Sequence, residues 1–324
     1  MSPSSALQAD YPLIKIPLVA SAPMLNIATA PLSVAVSEAG GLGFLAGGFD
    51  VSSLESKLEE VAQLIQRFLN WGADLAKSIA VIGKYRPCAA WFFGPKSMPD
   101  DLQPWAEQVR TVTNGQTKAV AVVETLEPDV LVVQGSDAGG HGLARSASII
   151  TLVPEVKDTL AKRQLKSDIP LLAAGGIVDG RGMAASLALG ASGVAMGTRF
   201  LASSEANIAH GYQDEVIRVS DGGATSVRST VYDRVRGILD WPTRYDGRGI
   251  INKSYTDAMN GMSDEENRAL YEEELKKGDL GWGPDARLTT YAGTGVGLVN
   301  ETLPAADILA SVIQGAQEIL QHLK

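Results

Sequence analysis

The chain has 324 residues, 45% of them hydrophobic, and a formal net charge of -9. This length suffices for one large domain or two ordinary ones, and the acidic balance argues against nucleic-acid binding, which needs a basic surface. The one cysteine, Cys88, excludes an internal disulfide and fits a reducing compartment. The start of the chain is too polar for a secretory signal, and no apolar run approaches the ~18 residues that span a bilayer. We therefore expect a soluble cytoplasmic protein that binds neither nucleic acid nor a membrane.

Short apolar strands alternate with helices through the first 200 residues. Strands are predicted at Leu18–Ala20, Leu42–Ala46, Cys88–Phe93, Val130–Gln134, Leu171–Ala174 and Gly193–Met196. Helices are predicted at Pro31–Ala39, Leu54–Phe68, Asp74–Lys84, Leu102–Val112, Val156–Leu165, Arg181–Leu189 and Pro304–Leu323. Strands that end in glycine and lead into helices are typical of a parallel α/β fold. The number of units favours a (β/α)8 TIM barrel over an open sheet.

The segment Lys118–Glu124 does not follow this alternation. Its composition resembles a strand, but only Thr125–Asp129 separates it from the strand at Val130. A parallel crossover needs about a dozen residues, so we expect Lys118–Glu124 to be mostly helical. The junction before Asn70 is similarly abrupt, and the barrel is therefore expected to contain one or two shortened β/α units.

Charge and aromatic content rise between Leu201 and Asn300, and no strand is predicted there. Ser263 and Glu266 form a capping box at the start of a charged helix, Asp264–Lys277. Active sites of such barrels lie at the carboxyl ends of the strands. We expect residues 1–200 and 301–324 to form the barrel, and residues 201–300 to form a mainly helical lid over that rim.

A glycine-rich segment, Gln134–Gly142, follows a strand that is expected to be buried. Its four glycines allow the backbone to approach a flat or charged group closely. The segment also carries His141, one of three histidines in the chain. An imidazole titrates near neutral pH, so His141 is a candidate general base.

Two later turns form a candidate anion site. Gly175–Gly176 and Gly197–Thr198 end two strands that one helix separates, which matches the phosphate site between the loops after strands 7 and 8 of many barrels. Glycine N–H groups and a threonine hydroxyl can bind an anion there. Because the histidines are far apart in sequence and Cys88 is alone, no metal site is expected.

Four parts of the chain together resemble one enzyme family. They are Ser21–Met24 with Gly40–Phe44, Gln134–Gly142, Ala173–Ile177 with Gly197–Phe200, and Tyr291–Gly295. The Ala-Gly-Gly-His sequence at 138–141 is specific to this family and its near relatives, whereas Ala-Ala-Gly-Gly-Ile is shared by many flavin barrels. The chain resembles the nitronate monooxygenases, formerly called 2-nitropropane dioxygenases, which are FMN-dependent TIM barrels.

The resemblance implies a role for each matching position. Ala22, Pro23 and Met24 would lie along the flavin ring, and Asn70 would reach the cofactor from the third strand. His141 would be the catalytic base. The other implied cofactor contacts are Gln134, Gly139, Gly140, Gly175, Gly176, Met196, Gly197 and Thr198, and Tyr291 is a candidate substrate contact.

The activity that the resemblance implies is FMN-dependent oxidation of alkyl nitronates or nitroalkanes by O2, giving a carbonyl compound and nitrite. Two alternatives stay open. One is an FMN-dependent NADH:quinone or enoyl-thioester reductase on the same scaffold, and the other is a shortened variant with weak or no activity. A Ser-His-Asp triad is also left open, although no nucleophile elbow is present. Nothing in the sequence indicates the oligomeric state.

Overall fold

The computed structural model describes residues 7–9, 11–46, 65–69, 74–95, 102–121, 128–162 and 169–323, of which 65–69 are described for the backbone only. The strands in these residues are β1 (Leu18–Ser21), β2 (Phe44–Ala46), β3 (Ile65–Leu69), β4 (Ala89–Phe93), β5 (Lys118–Ala121), β6 (Val130–Gln134), β7 (Gly140–Leu143), β8 (Leu171–Ala174), β9 (Gly193–Met196), β10 (Ser226–Ser229) and β11 (Tyr245–Ile250).

Eight of these strands form one parallel sheet in the order β1-β9-β8-β6-β5-β4-β3-β2. Leu42, two residues before β2, closes the sheet onto β1. Its N–H donates to the Val19 carbonyl at 2.9 Å, and its carbonyl accepts from the Ser21 N–H at 2.9 Å. The predicted (β/α)8 barrel is confirmed, and β8 and β9 are its seventh and eighth strands.

The helices are α1 (Ala30–Glu38), α2 (Leu75–Tyr85), α3 (Gln103–Thr113), α4 (Ile149–Lys162), α5 (Gly180–Ala188), α6 (Thr198–Leu201), α7 (His210–Arg218), α8 (Gly222–Thr225), α9 (Val231–Arg234), α10 (Lys253–Met259), α11 (Asp264–Leu275) and α12 (Ala305–His322), with 3-10 turns at Gly278–Gly281 and Thr294–Leu298. The terminal helix α12 packs against α5 and α1. The approach to α5 is so close that a Cβ on Gly180 would lie 2.5 Å from the Ala316 nitrogen. None of these helices is both long enough and apolar enough to cross a membrane, as judged for the described residues.

Side chains alternate between the two faces of the barrel strands, as the pleat of a strand requires. Along β6, Val130 and Val132 join the cluster of side chains inside the barrel, and Leu131 and Val133 pack outward against the helices. The same alternation holds in β9, where Ala195 points inward and Met196 outward. It follows that every second residue at the carboxyl end of a strand, Gln134 of β6 among them, faces the barrel opening.

The expectation that Lys118–Glu124 is helical is wrong. Lys118–Ala121 is β5, which pairs in parallel with β4 and also with β6, where Val120 lies opposite Val130. The Asp129 N–H donates to the Ala119 carbonyl at 2.9 Å, and the Asp129 carboxylate accepts from the Ala119 N–H at 2.8 Å. These bonds hold the start of β6 beside β5 without a long crossover, so the strand-like composition was the better guide.

The predicted helix Leu54–Phe68 is wrong at its end. Ile65–Leu69 is β3, which pairs in parallel with β2 and β4. β3 is hydrogen-bonded to a strand on each side. These bonds outweigh the helical pattern of the local sequence, because propensity alone predicts secondary structure only weakly. Residues 54–64 lie outside the described part of the chain. The barrel therefore has all eight strands, and the short connections between some of them do not remove a strand.

Helices are the commonest regular elements in residues 201–300, but the expectation that these residues contain no strand is wrong. Strands β10 and β11 form an antiparallel sheet, and β7 completes it from the barrel side, with His141 opposite Gly247. Ser263 caps the start of α11, because its hydroxyl oxygen accepts from the Glu266 N–H at 3.2 Å, which is one half of the predicted capping box. The small sheet ties the glycine-rich segment after β6 to residues 201–300.

Candidate functional site

A cavity of about 450 Å3 opens at the carboxyl ends of β1, β6, β8 and β9. One side, here called the barrel wall, consists of strand ends and the turns after them. The other side, the lid wall, consists of side chains from residues 201–300. The predicted site residues that line the cavity are Ala22, Pro23, Met24, Gln134, Gly139, Gly140, His141, Gly175, Gly176, Gly197, Thr198 and Tyr291.

The two other predicted cofactor contacts are Asn70 and Met196. Asn70 lies outside the described residues, so its role stays a prediction. Met196 is 1% exposed and packs outward from β9 against the helix layer. Only its backbone borders the site, since the Met196 carbonyl accepts from the Ala22 N–H at 2.8 Å. The strand alternation that turns Ala195 inward turns the Met196 side chain away from the cavity. A contact between Met196 and the cofactor would therefore involve its backbone, and this role stays a prediction.

The turns after β6, β8 and β9 bring glycine backbone and one hydroxyl group to the cavity. Gly175 and Gly176 have φ angles of +111° and +74°. Residues with a Cβ rarely adopt such positive φ angles. Gly139 packs so closely on the next segment that a Cβ there would lie 2.4 Å from the Gly293 nitrogen. The Thr198 hydroxyl oxygen accepts from the Gly293 N–H at 2.9 Å, which leaves its proton to donate elsewhere. Glycine turns and a free hydroxyl proton are the groups that bind a phosphate oxygen.

His141 has a buried carboxylate as its partner. Its Nε2 donates to Asp233 of α9, at 2.9 Å from Oδ1 and 2.8 Å from Oδ2. The Asp233 side chain is 5% exposed and the His141 side chain 16% exposed. When the imidazole is neutral, a proton held on Nε2 leaves the lone pair on Nδ1. Asp233 therefore selects one tautomer, and Nδ1 is the basic atom of the ring.

Tyr291 shares the same carboxylate. Its hydroxyl donates to Asp233 Oδ1 at 2.8 Å. Burial raises the pKa of Tyr291 well above its ordinary value, and the neighbouring Asp233 charge raises it further. The phenol therefore stays protonated and continues to donate. A Cβ on Gly247 would lie 2.6 Å from Tyr291 Cε1, so the glycine in β11 makes room for this ring.

Two more side chains of residues 201–300 complete the surroundings of His141. The Trp241 ring stacks on the imidazole with centroids 4.0 Å apart and an interplanar angle of 10°. The Arg236 guanidinium lies over the Tyr291 ring, 5.6 Å from its centroid. Among the described residues that line the cavity, Arg236 is the only one with a permanent charge. The imidazole is thus held by a stacked ring on its face and by a carboxylate at one edge.

Sequence reasoning did not identify Asp233, Arg236 or Trp241. They lie roughly 90 to 100 residues after His141, within residues 201–300, where the sequence shows only a general rise in charge and aromatic content. The spacing of Asp233 and Arg236 is ordinary for a helical segment, so no local signal marks them. Within the described residues, no group of three or more His, Cys, Asp or Glu side chains could hold a metal ion.

Together, the barrel, the glycine turns at its carboxyl rim and the histidine–aspartate pair are typical of a TIM-barrel enzyme with its site at that rim. The family model "NMO: Nitronate monooxygenase" matches residues 70–315, which is more than half of the chain. The chain belongs to the nitronate monooxygenase family, whose members are flavin-dependent oxidoreductases.

Two curated relatives match nearly the whole chain. Nitronate monooxygenase npaC of Metarhizium robertsii is 43% identical, over 97% of this chain and 95% of the relative. A nitronate monooxygenase of Neurospora crassa is 32% identical, over 98% of this chain and 94% of the relative. The matched lengths agree with a full set of barrel units.

Solved structures share the fold at lower identity. A nitroalkane oxidase from Streptomyces ansochromogenes is 21% identical with a TM-score of 0.77, covering 99% of this chain and all of that chain. FabK from Thermotoga maritima is 22% identical with a TM-score of 0.76, covering 98% of this chain and 97% of that chain. At these identities the likeness shows the fold alone.

Proposed function

We propose that the protein oxidises alkyl nitronates and the corresponding nitroalkanes with FMN and O2, giving a carbonyl compound and nitrite. Family membership supports the reaction class, and the observation that carries the proposal for this chain is the pair of His141 and Asp233 at the cavity. A nitroalkane has an acidic α-proton, and the pair supplies a base of defined tautomer beside a cavity of suitable size.

The barrel wall fits a flavin mononucleotide. Its turns at Gly175–Gly176 and Gly197–Thr198 offer backbone N–H groups and the Thr198 hydroxyl proton, which is the donor set that a single phosphate requires. Ala22–Met24 offers a short, mostly apolar edge along which a planar ring can lie. Gln134, on the inward face of β6, can hydrogen-bond a polar ring edge. A bound flavin would supply the redox chemistry there, with the nitronate as electron donor and O2 as the final electron acceptor.

His141 would act before that redox step when the substrate is a neutral nitroalkane. Nδ1 removes the α-proton, and the ring becomes an imidazolium that remains hydrogen-bonded to Asp233 through Nε2. The negative charge of Asp233 stabilises the imidazolium, and the Tyr291 hydroxyl keeps the carboxylate in place. A nitronate supplied as the anion needs no proton removal, so this step is then bypassed.

The lid wall would orient the anion and exclude water. Trp241 stacks on the imidazole face, and Arg236, which lies over the Tyr291 ring, places a positive charge on the side of the cavity opposite the barrel wall. A positive charge in a partly closed cavity attracts a nitronate, which is itself an anion.

The purified protein tests the proposal directly. We expect a flavin absorption spectrum, FMN rather than FAD on chromatography after acid release, and nitrite formation with O2 consumption when ethyl nitronate is added. Turnover of NADH with a quinone or an enoyl thioester, without nitrite from ethyl nitronate, would instead establish the reductase alternative. A protein without any flavin and without nitrite formation would overturn the proposal.

A further inference from the structure

Two arginines lie opposite each other on one face of the small antiparallel sheet. Arg228 of β10 is in register with Arg248 of β11, and the Arg228 side chain is only 10% exposed. Like charges at opposite positions of a sheet destabilise it. Burial and, after it, the neighbouring Arg228 charge lower the pKa of Arg248. The acceptors of the two guanidinium groups show what this unfavourable pair holds in place.

Both guanidinium groups bind the backbone of the glycine-rich segment. The Ser136 carbonyl accepts from Arg228 Nε at 3.3 Å and from Arg248 Nε at 3.2 Å. The Ala138 carbonyl accepts from Arg228 Nη2 at 3.2 Å. The third nitrogen, Arg228 Nη1, donates to the Asp246 carboxylate at 2.7 Å. A guanidinium can serve three acceptor groups together because its donors form a rigid planar fork, whereas a lysine ammonium is a single point charge.

The surrounding backbone fits closely around this contact. A Cβ on Gly142 would lie 2.7 Å from Arg228 Nη2, so the glycine in β7 makes room for the guanidinium. The glycine-rich segment also packs on the turn after β8, since a Cβ on Gly175 would lie 2.9 Å from the Ala138 nitrogen. Arg228 therefore holds a segment that contacts one of the turns of the predicted phosphate site.

The bond to Ala138 sets the direction of the next N–H group. The C=O and N–H of a trans peptide point in opposite directions, so the Gly139 N–H points away from Arg228. This N–H has no hydrogen-bond partner among the described residues, and Gly139 lines the cavity. A Cβ on Gly293 would lie 2.9 Å from the Gly139 nitrogen and 3.3 Å from the Thr198 hydroxyl oxygen. The unpartnered N–H is thus close to the predicted phosphate donor Thr198.

We propose that Arg228 is a positioning residue for the cofactor, which aims the Gly139 N–H at the phosphate of FMN through its bonds to Ser136 and Ala138. This inference rests on the proposed function, which places a flavin phosphate at the turns after β8 and β9. Arg228 is not one of the residues that line the cavity, and its charge is paired with Asp246. Its effect on the phosphate therefore passes through the Gly139 peptide.

FMN and riboflavin are a matched pair of ligands for this test, because they differ only in the phosphate. Arg228→Lys keeps the positive charge but loses the planar fork, so the Gly139 peptide is no longer held in one direction. Titration of the full-length apoprotein, followed by flavin fluorescence, should give a Kd for FMN about 10-fold higher than in the wild type. The Kd for riboflavin should change less than about 3-fold, whereas a general loss of packing would weaken both ligands alike.

The control variant is Arg234→Lys, the same change at an arginine whose side chain bonds to Asp264 and Thr230. It should match the wild type with both flavins. Asp246→Asn is a milder second variant, since it keeps both arginines and removes only the charge that faces Arg228 Nη1. It should show the same selective loss of FMN binding, smaller in size, and it decides the question if Arg228→Lys does not fold. In the deciding variant, an unchanged Kd for FMN or equal losses for the two flavins would overturn the role of Arg228.

The wild-type protein separates this proposal from the proposed function. A wild type that binds no flavin would overturn both. If the wild type binds FMN and forms nitrite from ethyl nitronate, but Arg228→Lys binds FMN as tightly as the wild type, only the role of Arg228 is wrong. If the loss of FMN binding is selective but the wild type forms no nitrite, Arg228 keeps its positioning role and the proposed reaction is wrong.

Discussion

The barrel wall and the lid wall differ in the chemical groups that they present to the cavity. The barrel wall contacts the cavity through glycine turns and strand ends, with Thr198 as its hydroxyl donor, and none of its described lining side chains is charged. The lid wall contacts it through Arg236, Tyr291 and Trp241, and Asp233 supports it from behind. The two walls meet at His141. This residue lies in β7, which follows the glycine-rich turn after β6 and pairs with β11 of residues 201–300.

This difference indicates a division of labour. Backbone donors have nearly fixed positions and suit a group that stays bound, such as a phosphate. Side chains can be exchanged without changing the fold and suit a group that differs between substrates. Changes in the barrel wall should therefore affect cofactor binding, whereas changes in the lid wall should affect catalysis and substrate choice.

The largest expected effect is at the junction of the two walls. His141→Asn should lower the rate on neutral nitroethane by about 10²–10⁴-fold, because general-base catalysis is typically worth that factor. It should lower the rate on preformed ethyl nitronate much less, since no proton is removed. Nitrite formation measures both rates. Equal losses on the two substrates, with flavin content unchanged, would leave His141 as a positioning residue.

Asp233→Asn should show the same pattern with a smaller loss, about 10²-fold on nitroethane. Both carboxylate oxygens lie within 2.9 Å of His141 Nε2, so the amide NH2 faces Nε2 in either orientation. The Nδ1-basic tautomer therefore loses its advantage. The pH profile on nitroethane should change, while that on ethyl nitronate should stay nearly the same. Asp264→Asn, which removes a surface carboxylate paired with Arg234, is the control. An unchanged pH profile in Asp233→Asn would contradict the tautomer assignment.

Thr198→Val tests the barrel wall. Loss of a hydrogen bond to a charged group costs about 1.5–3 kcal/mol, so the Kd for FMN should rise about 10- to 100-fold. Flavin fluorescence on titration of apoprotein measures this. At saturating FMN, the ratio of rates on nitroethane and ethyl nitronate should not change. The control is Thr256→Val, at an exposed threonine of α10. Normal FMN affinity in Thr198→Val would show that Thr198 does not bind the phosphate.

The smallest expected effect is on the pH dependence of protein stability and comes from Cys88, which belongs to neither wall of the cavity. Burial raises the pKa of the Cys88 thiol to about 11, above its ordinary value of 9.0. Between about pH 9 and 11 the thiol ionises in the unfolded chain but not in the folded one, so the unfolded state binds fewer protons. The free energy of unfolding should therefore fall as pH rises, by at most about 1.4 kcal/mol per pH unit from this group. Denaturant unfolding at pH 8 and pH 10.5 should show a smaller fall in Cys88→Ala, and equal falls would disprove it.

Several features of the barrel wall followed from sequence order. Gly175–Gly176 and Gly197–Thr198 end strands β8 and β9, as predicted, because the repeat of strand, turn and helix is a local pattern. The position of Gln134 also followed, since it ends an apolar strand and strand residues alternate between faces. Met196 shows the limit of reasoning from position alone, because the resemblance implied a cofactor contact at this residue without giving the direction of its side chain, which points to the outer face of the barrel.

The sequence by itself determined the barrel class, most of its elements and the barrel-wall turns, because hydrophobic periodicity and glycine positions act over a few residues. Only the tertiary structure decided that Lys118–Ala121 and Ile65–Leu69 are strands, since a strand is completed by hydrogen bonds to neighbours distant in sequence. It also decided the partners of His141. Asp233, Trp241 and Tyr291 reach the imidazole only because β7 pairs with β11 and brings that segment beside the barrel rim. Contacts between side chains 92 residues apart, such as the one between His141 and Asp233, leave no periodic trace in a single sequence.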